Sequence, residues 1–579
     1  MTKPVSILGI HDGHNCGATL TLDGVVAASV NEERLTRNKN EVGYPCRAIE
    51  EVLRIGGVDA RDLDEVVYAS NFMHAPSHLQ DISLWYAVGL KEQRADASRP
   101  KDYARQLFDI RTSERIDEVA AHLGIAAEKV HFVEHHLAHL AAAYFTAPNV
   151  GPGRKVLGLT CDGAGDNLAA TVSVCAGSKI ERISETDRHA SLGKIYSRMT
   201  YLMGMTPWEH EYKLMGLAPY ADPERSACAA GRLKNLLKIA DDALGFALAG
   251  ELSTNYCYEF LRDAFERERF DVMAGAVQLF TEDMLQAWVR GCIEKTGISD
   301  LVCGGGVFMN VKANMLLAAM PEVSSIYVMP SAADESLAIG AGLLRYYVAR
   351  DAAQPGGETL ANLYLGADHD GAAEKAALAA AAGNGEYEIG EPGDIDVWIA
   401  DKLAAGDVVA RSRGRMEWGA RALGNRSILA SADDWRTVDR INRMIKQRDF
   451  WMPFAPSIRA ESAARYFDDP KHIEPRYMTF AFAAKPEGYT DLVAGSHPFD
   501  RTLRPQIVEA DTNPGYHKLL TRFEELTGRG GVLNTSFNLH GFPIVNTPAD
   551  AIDVFVKSDL DHLALNHHTI SRRREGNGA

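Results

Sequence analysis

Residues 5–30 read VSILGIHDGHNCGATLTLDGVVAASV, and residues 155–184 read KVLGLTCDGAGDNLAATVSVCAGSKIERIS. In each, an apolar strand-like run (5–10 and 155–160) enters a turn rich in Asp and Gly, then a pair of alternating runs. The first pair, 18–22 and 25–30, is joined by Asp23-Gly24, a strong hairpin signal between such runs. The second pair is 169–176 and 179–184, with 162–166 read as the preceding turn. Leu8-Gly9-Ile10-His11-Asp12-Gly13 and Leu157-Gly158-Leu159-Thr160-Cys161-Asp162-Gly163 match with one residue inserted. A single Asp-Gly turn occurs in any protein. Two with matching flanks, about 150 residues apart, predict a duplicated α/β core.

Working outward, helical patterns fill 45–55 and 114–123, and again 256–296. The Met- and aromatic-rich stretch 186–219 reads as core packing. Two further strand–loop–helix units follow, 301–306 into 310–319 and 326–329 into 334–348. This layout is similar to that of actin-like ATPases and sugar kinases, in which such turns face nucleotide phosphates. The segment DAAQPGGE at 351–358 reads as a linker, and the chain beyond it has its own strand and helix alternation. Two domains are therefore expected, 1–352 and 360–579, as suits a chain of 579 residues, too long for one core.

The net charge of −17 argues against a general nucleic-acid surface, so any polyanionic substrate must meet a local basic pocket. No apolar run approaches the roughly 20 residues of a membrane span. The opening MTKPVSILGI lacks a signal-peptide pattern, and a cytoplasmic location is expected. None of the eight cysteines forms a C-x-x-C pair, which excludes a zinc ribbon of that type.

Chemistry is concentrated in four places. His135 and His139 stand four apart at the head of an Ala-rich helical run, so they share a face, while His136 points about 100° away. Alone, such a pair is better explained as hydrogen-bonded core histidines than as metal ligands. Asp162 and Asp334, each in a loop after a strand, could complete a site, because such loops converge in an open α/β sheet. Two imidazoles and two carboxylates suit a divalent first-row ion such as Fe, Mn or Zn. Gly304-Gly305-Gly306, between a strand and a helix, could admit a phosphate or equally serve as a packing turn. Residues 411–448 carry nine arginines and one lysine against four acids. A solvated charged helix accounts for 433–443. It fits 414–426 poorly, where glycines and a Trp intervene and a phosphate-binding pocket is the better reading.

The segments HDGHNCGATL, NEERLTRNK, HHLAHLAAAYF, DGAGD, YKLMGLAPY, GGGVFMN and PSAADESLAIGAG resemble, in order, those of the O-carbamoyltransferases related to nodulation protein U, the cephem hydroxymethyl carbamoyltransferase and the tobramycin carbamoyltransferase. So do GRMEWGARALGNRSILA, INRMIKQRDFWMPFAP, RPQIV and LNTSFNLHGFPIV. The resemblance implies an α/β fold with a duplicated actin-like (sugar-kinase-like) N-terminal domain and an α+β, YrdC-like C-terminal domain. It implies an ATP-dependent carbamoyltransferase of secondary metabolism, as in antibiotic biosynthesis. Carbamoyl phosphate and ATP, with Mg²⁺, would form carbamoyl-adenylate in the C-terminal domain, and the N-terminal domain would pass the carbamoyl group to a hydroxylated small-molecule acceptor. By motif, His135, His139, Asp162 and Asp334 would bind Fe(II) or another divalent first-row metal. His14 would act as general base, and Lys39 would neutralise charge beside the carbamoyl group. Gly305, Gly306 and Asn310 would contact nucleotide; Arg421, Arg426, Lys446, Arg448, Arg504 and Asn534 would surround carbamoyl phosphate and ATP. Where the family often carries Arg after LNTSFN, this chain has His540. A monomer or homodimer, without nucleic-acid or membrane partners, is expected.

Three other readings stand beside this one. A sugar-kinase-like phosphotransferase would leave the histidine pair and the second domain unexplained. A non-catalytic nucleotide- and metal-binding scaffold would not need His14, Lys39, Lys446 and Arg504. Thiol carbamoylation, as in hydrogenase maturation, would call for modules this chain lacks. Acceptor choice is assigned to 70–111 and 222–269, with Phe72, Trp85 and Tyr86 as wall residues or ordinary core aromatics.

Overall fold

β1 (Ser6–His11) is buried along its whole length, as a strand covered on both faces must be. It pairs antiparallel with β2 (Gly17–Leu22), which pairs antiparallel with β3 (Val25–Asn31). Asp23 and Gly24 hold φ of 48° and 79°, the two positive values of a type I′ turn. On its other edge β1 runs parallel to β4 (Glu65–Ala69), and β4 to β5 (Val130–Val133). The order is β3-β2-β1-β4-β5. Helix α1 (His135–Thr146) follows.

The second half repeats this plan. β6 (Val156–Gly165), β7 (Leu168–Ala176) and β8 (Lys179–Asp187) form the antiparallel part. After α2 (Leu192–Leu202) and α3 (Phe270–Thr296), β9 (Asp300–Gly304) joins β6 in parallel. Then come α4 (Val311–Ala319), β10 (Ser325–Val328), parallel to β9, and α5 (Leu337–Tyr347). The order β8-β7-β6-β9-β10 matches the first sheet strand for strand, so the duplication expected from the two turns is present. One detail differs: β6 does not end at 160 but runs to Gly165 with an irregularity after Cys161, and the turn proper is Asp166-Asn167.

The terminal helices are exchanged between the halves. α1 follows the first sheet but packs on β6 and β9; α5 follows the second but packs on β1, β2 and β4. They cross at Gly340, where a Cβ would lie 1.8 Å from the Ala138 carbonyl oxygen. Only glycine permits that approach, and it brings the start of α5 beside the first turns of α1.

This computed structural model describes residues 3–80, 85–99, 101–148, 150, 153–353, 359–381 and 387–573; positions 354–358 of the expected linker lie outside them. The chain divides into two compact units, Met1–Glu32 with Asn40–Leu360, and Glu33–Lys39 with Ala361–Ala579.

The second unit is α+β. Its main sheet is made of β11 (Tyr387–Gly390), β12 (Val409–Ser412), β13 (Arg426–Ala430), β14 (Ala455–Arg459), β15 (Gln506–Val508), β16 (Gly531–Ser536), β17 (His562–Ala564) and β18 (Thr569–Arg572). They form one mixed sheet, β11-β18-β17-β12-β13-β16-β14-β15. Helices α6 (Ile395–Ala404) and α7 (Pro514–Thr527) pack on it through Ile399, Leu403, Leu519, Leu520 and Phe523, against Val409, Leu429 and Val532. A helix over Arg436–Ile441 continues as a π-helical turn over Asn442–Lys446. Among the described residues no helix is long and apolar enough to cross a membrane.

Candidate metal centre and cationic cluster

Glu134 caps α1, accepting from the amides of His136 (2.8 Å) and Leu137 (2.9 Å), so the helix begins at the histidines. Asp166, in the β6–β7 turn, accepts from the amides of His135 (2.9 Å), Asn71 (2.8 Å) and Phe72 (3.0 Å). One carboxylate thus fixes both the head of α1 and the loop after β4. Asp162 sits in the irregular part of β6, where a break in the ladder re-aims a side chain. Asp334 opens a 3₁₀ turn (Asp334–Ser336) immediately before α5.

These four residues converge. One donor atom from each of His135, His139, Asp162 and Asp334 lies within 4.8 Å of the others. His135 Nε2 is 3.3 Å from Asp162 Oδ2 and 3.7 Å from Asp334 Oδ1, and His139 Nε2 is 3.4 Å from Asp334 Oδ1. The opposite ring nitrogens are held by hydroxyls, His135 Nδ1 by Ser70 Oγ at 3.0 Å and His139 Nδ1 by Ser336 Oγ at 3.3 Å. That is how outer partners present Nε2 lone pairs to an ion. His139 Nε2 is buried and makes no hydrogen bond, an orphan that a metal would satisfy. The donor set therefore fits a divalent ion. His136, on the same helix, turns instead to Thr160 Oγ1 at 2.8 Å.

The electrostatics agree. Burial alone would lower His135, but Asp334 and the hydrogen bond and charge of Asp162 push it up to about 9. Burial would raise Asp334, yet the charges of His14 and His135 and the contact with His139 hold it well below the usual carboxylate range. Burial lowers His136 to about 3 and His11 to about 4, so both stay neutral.

His14 lies at the same centre, its Nδ1 3.4 Å from Asp334 Oδ2 and its ring stacked on Trp208 at 4.9 Å. Trp208 holds a φ of 67°, rare for a bulky residue and found where surroundings over-determine the backbone. Lys194, on α2, is lowered to about 8 by burial and by Arg198, against the pull of Asp162 and Asp334. Neither Trp208 nor Lys194 was singled out from sequence, because both fall in the stretch that reads as packing. Only the dense carbon and sulfur of 186–219 was visible there, not its direction.

Of the glycine turn, the Gly306 amide donates to Asp162 Oδ1 at 2.9 Å. Gly305 has φ 99°, and a Cβ there would meet the Cys161 carbonyl oxygen at 2.4 Å. The Asn310 side chain caps α4 through the Ala313 amide at 3.0 Å and pairs with Gln278 at 2.9 Å. Of the expected acceptor walls, Phe72 stacks on Phe108, Trp85 Nε1 donates to the His78 carbonyl at 2.8 Å, and Tyr86 is fully buried against Trp208.

In the second unit Lys446 ends the π-helical turn. Its buried ammonium donates to Asn538 Oδ1 (2.7 Å), Ser536 Oγ (3.1 Å) and the Ser536 carbonyl. Burial, then the charges of Arg448 and Lys39, pull its pKa well below the ordinary lysine value. Lys39 belongs to Glu33–Lys39 of this unit, whereas His14 belongs to the first. The Arg448 guanidinium lies 4.9 Å over the Phe454 ring, and Arg421 and Arg504 are half-buried. Asn534 on β16 donates to Ser457 Oγ at 2.9 Å, while its Oδ1 is buried without a hydrogen bond. His540 Nδ1 contacts the Lys446 carbonyl at 3.0 Å.

The arginine island divides. Arg426 is fully buried and spends its donors on the carbonyls of Asn546, Gly414 and Asn425, each at 3.0 Å. Arg411 bonds the Gly424 carbonyl and Asn425 Oδ1 at 2.8 Å, Arg415 the Gly366 carbonyl at 3.0 Å, and Arg440 pairs with Asp561. Much of the island thus stitches the fold.

A duplicated α/β unit with a His/Asp centre fit for a divalent ion stands in one chain with an α+β unit bearing a buried lysine among cationic neighbours. The profiles described as carbamoyltransferase N-terminus and carbamoyltransferase C-terminus match residues 6–343 and 400–572, and the chain belongs to the carbamoyltransferase family. It is 32% identical to nodulation protein NolNO of Sinorhizobium fredii, over 97% of this chain and 79% of that protein. It is 31% identical to an uncharacterized protein, sll1178, of Synechocystis, over 96% and 95%. A 3'-hydroxymethylcephem-O-carbamoyltransferase of Amycolatopsis lactamdurans is 28% identical over 59% of this chain and 61% of its own length. The carbamoyltransferase expected from the motifs is thereby borne out.

Proposed function

We propose that the protein transfers a carbamoyl group to a hydroxyl of a small natural product in two stages. In the second unit, carbamoyl phosphate gives carbamate and phosphate with one water. A carbamate oxygen then attacks the α-phosphorus of Mg²⁺-bound ATP, and pyrophosphate leaves. By the family resemblance, Lys446, Lys39, Arg421, Arg448, Arg504 and Asn534 would stabilise that charge. In the first unit the acceptor oxygen attacks the carbamoyl carbon of the adenylate, AMP leaves, and His14 takes the hydroxyl proton. Gly305 and Gly306 give the nucleotide close backbone approach.

A first-row divalent ion, Fe(II) by the family resemblance, would be held by His135, His139, Asp162 and Asp334 and would polarise the carbamoyl oxygen or hold the phosphate. The observation that carries this reading is the placing of His14 Nδ1 3.4 Å from Asp334, a base at the edge of the ligand cluster. The test is incubation with ATP and a panel of hydroxylated natural products, with and without carbamoyl phosphate. Pyrophosphate release and a carbamate ester that both require carbamoyl phosphate are expected. A phosphorylated acceptor formed without it would replace this reading with a kinase.

A further inference from the structure

A second set of metal-type donors meets in the first unit. Cys46 and Glu50 stand four apart on the helix Cys46–Gly56, hence on one face, and His122 comes from the last turn of the helix Lys101–Leu123. Cys46 Sγ lies 3.5 Å from His122 Nε2 and 3.9 Å from Glu50 Oε1, and His122 Nε2 lies 3.5 Å from Glu50 Oε1. Zinc bonds of about 2.0–2.3 Å at tetrahedral angles would set such sulfur, nitrogen and oxygen donors about 3.4–3.6 Å apart. The triangle is thus already close to the size of three corners of that tetrahedron.

The imidazole is also oriented for it. Tyr44 Oη meets His122 Nδ1 at 2.8 Å, leaving Nε2 as the nitrogen that faces the thiol and the carboxylate. This is the outer-partner arrangement seen at ligating histidines. The Glu50 side chain is 66% exposed, so water can reach a fourth position.

We propose that Cys46, Glu50 and His122 bind a zinc-class divalent ion that pins the 41–46 segment beneath the turn carrying His14. The segment is part of that turn's support. Val42 forms an antiparallel bridge with His14, the Cys16 amide donates to the Glu41 carbonyl at 3.1 Å, and the Gly43 amide to that of Gly13 at 3.4 Å. Glu32 anchors its far end by accepting from the amides of Arg47 (3.2 Å) and Ala48 (2.7 Å). Thiolate with imidazole selects zinc or cobalt over magnesium or calcium. The site stands whether or not carbamoyl-adenylate is the intermediate of the reaction.

Cobalt(II) reports on it directly, because a thiolate–cobalt bond gives a near-ultraviolet charge-transfer band and the His135–Asp334 cluster contributes no sulfur. The full chain carrying Cys228→Ser, which removes the exposed cysteine, is stripped of metal and titrated with Co²⁺. The band should appear, disappear on adding Zn²⁺, and be absent from Cys46→Ser and His122→Gln. Tyr44→Phe should weaken cobalt binding by about 10- to 100-fold while keeping the band. Glu50→Gln, at an exposed position, should weaken it without loss of fold, which guards against a Cys46 variant that does not fold. No band in the parent, or a band unchanged by Cys46→Ser or His122→Gln, would overturn the proposal.

Discussion

At the scale of single residues the metal centre is a problem of competing charges. His135 gains a proton partner from two carboxylates, and its folded pKa, pushed up to about 9, exceeds the unfolded value of 6.5. The stability this contributes to the metal-free protein is complete below pH 6.5 and is lost as pH rises through about 9, on the order of 3 kcal/mol. Thermal unfolding of stripped protein should therefore show Tm falling across that window. A bound ion takes the place of the proton, so the loaded protein should show a shallower fall, and equal slopes would mean the imidazole does not face the cluster. Ser336→Ala, which frees His139 Nδ1, should weaken metal binding by about 10- to 100-fold with the four ligands intact, as read by competition with a chelator. The four residues of the cluster were legible in the sequence. An i, i+4 pair and two aspartates in loops after strands are local patterns that survive without coordinates. Ser70 and Ser336 were not, since a hydroxyl that orients an imidazole leaves no periodic trace.

Elements explain what the local patterns could not. The twin sheets were readable because each begins with the same strand, turn and hairpin. The exchange of α1 and α5 between them was not, because it depends on a contact between Ala138 and Gly340, some 200 residues apart. Gly340→Ala would drive a methyl to 1.8 Å from a backbone carbonyl that cannot swing aside. It should destabilise the protein by at least about 2 kcal/mol in denaturant unfolding, and it should also loosen metal binding, since α1 carries His139 and the start of α5 follows Asp334. In the second unit Arg426 was expected at phosphate. Its guanidinium donates to three carbonyls at 3.0 Å, an engagement within the fold that a count of arginines cannot reveal. Arg426→Met should accordingly lower stability by about 3 kcal/mol or more by stranding buried acceptors. Among molecules that remain folded, its KM for ATP should be little changed; a large rise in KM with unaltered stability would return Arg426 to the binding site.

For the molecule as a whole, the proposed two-stage reaction makes separable demands on the two units. Lys39 lies only 25 positions after His14 in sequence, and Glu33–Lys39 belongs to the second unit. Arg34 of that segment donates to the Gly419 carbonyl at 2.7 Å and Arg37 to the Ile544 carbonyl at 2.6 Å, so the segment is tied there by its flanks. The charge of Lys39 bears on Lys446, so Lys39 is expected to act with Lys446 in activation. If activation and transfer occupy different units, single substitutions should split the reaction. Lys446→Ala should cut carbamoyl-phosphate-dependent pyrophosphate release by about 100-fold or more, because one fixed charge at a phosphoryl centre is worth that much, and leave metal content unchanged. Lys39→Ala should fall in the same class. Asp162→Asn should do the converse: metal is lost and carbamoylated product falls by at least about 100-fold, while pyrophosphate release continues, uncoupled from product. Measuring pyrophosphate, product and metal on the same three variants decides the matter. A Lys39 variant that releases pyrophosphate normally but makes no product would place it back beside His14, and an Asp162 variant that stops pyrophosphate release would collapse the two stages into one site.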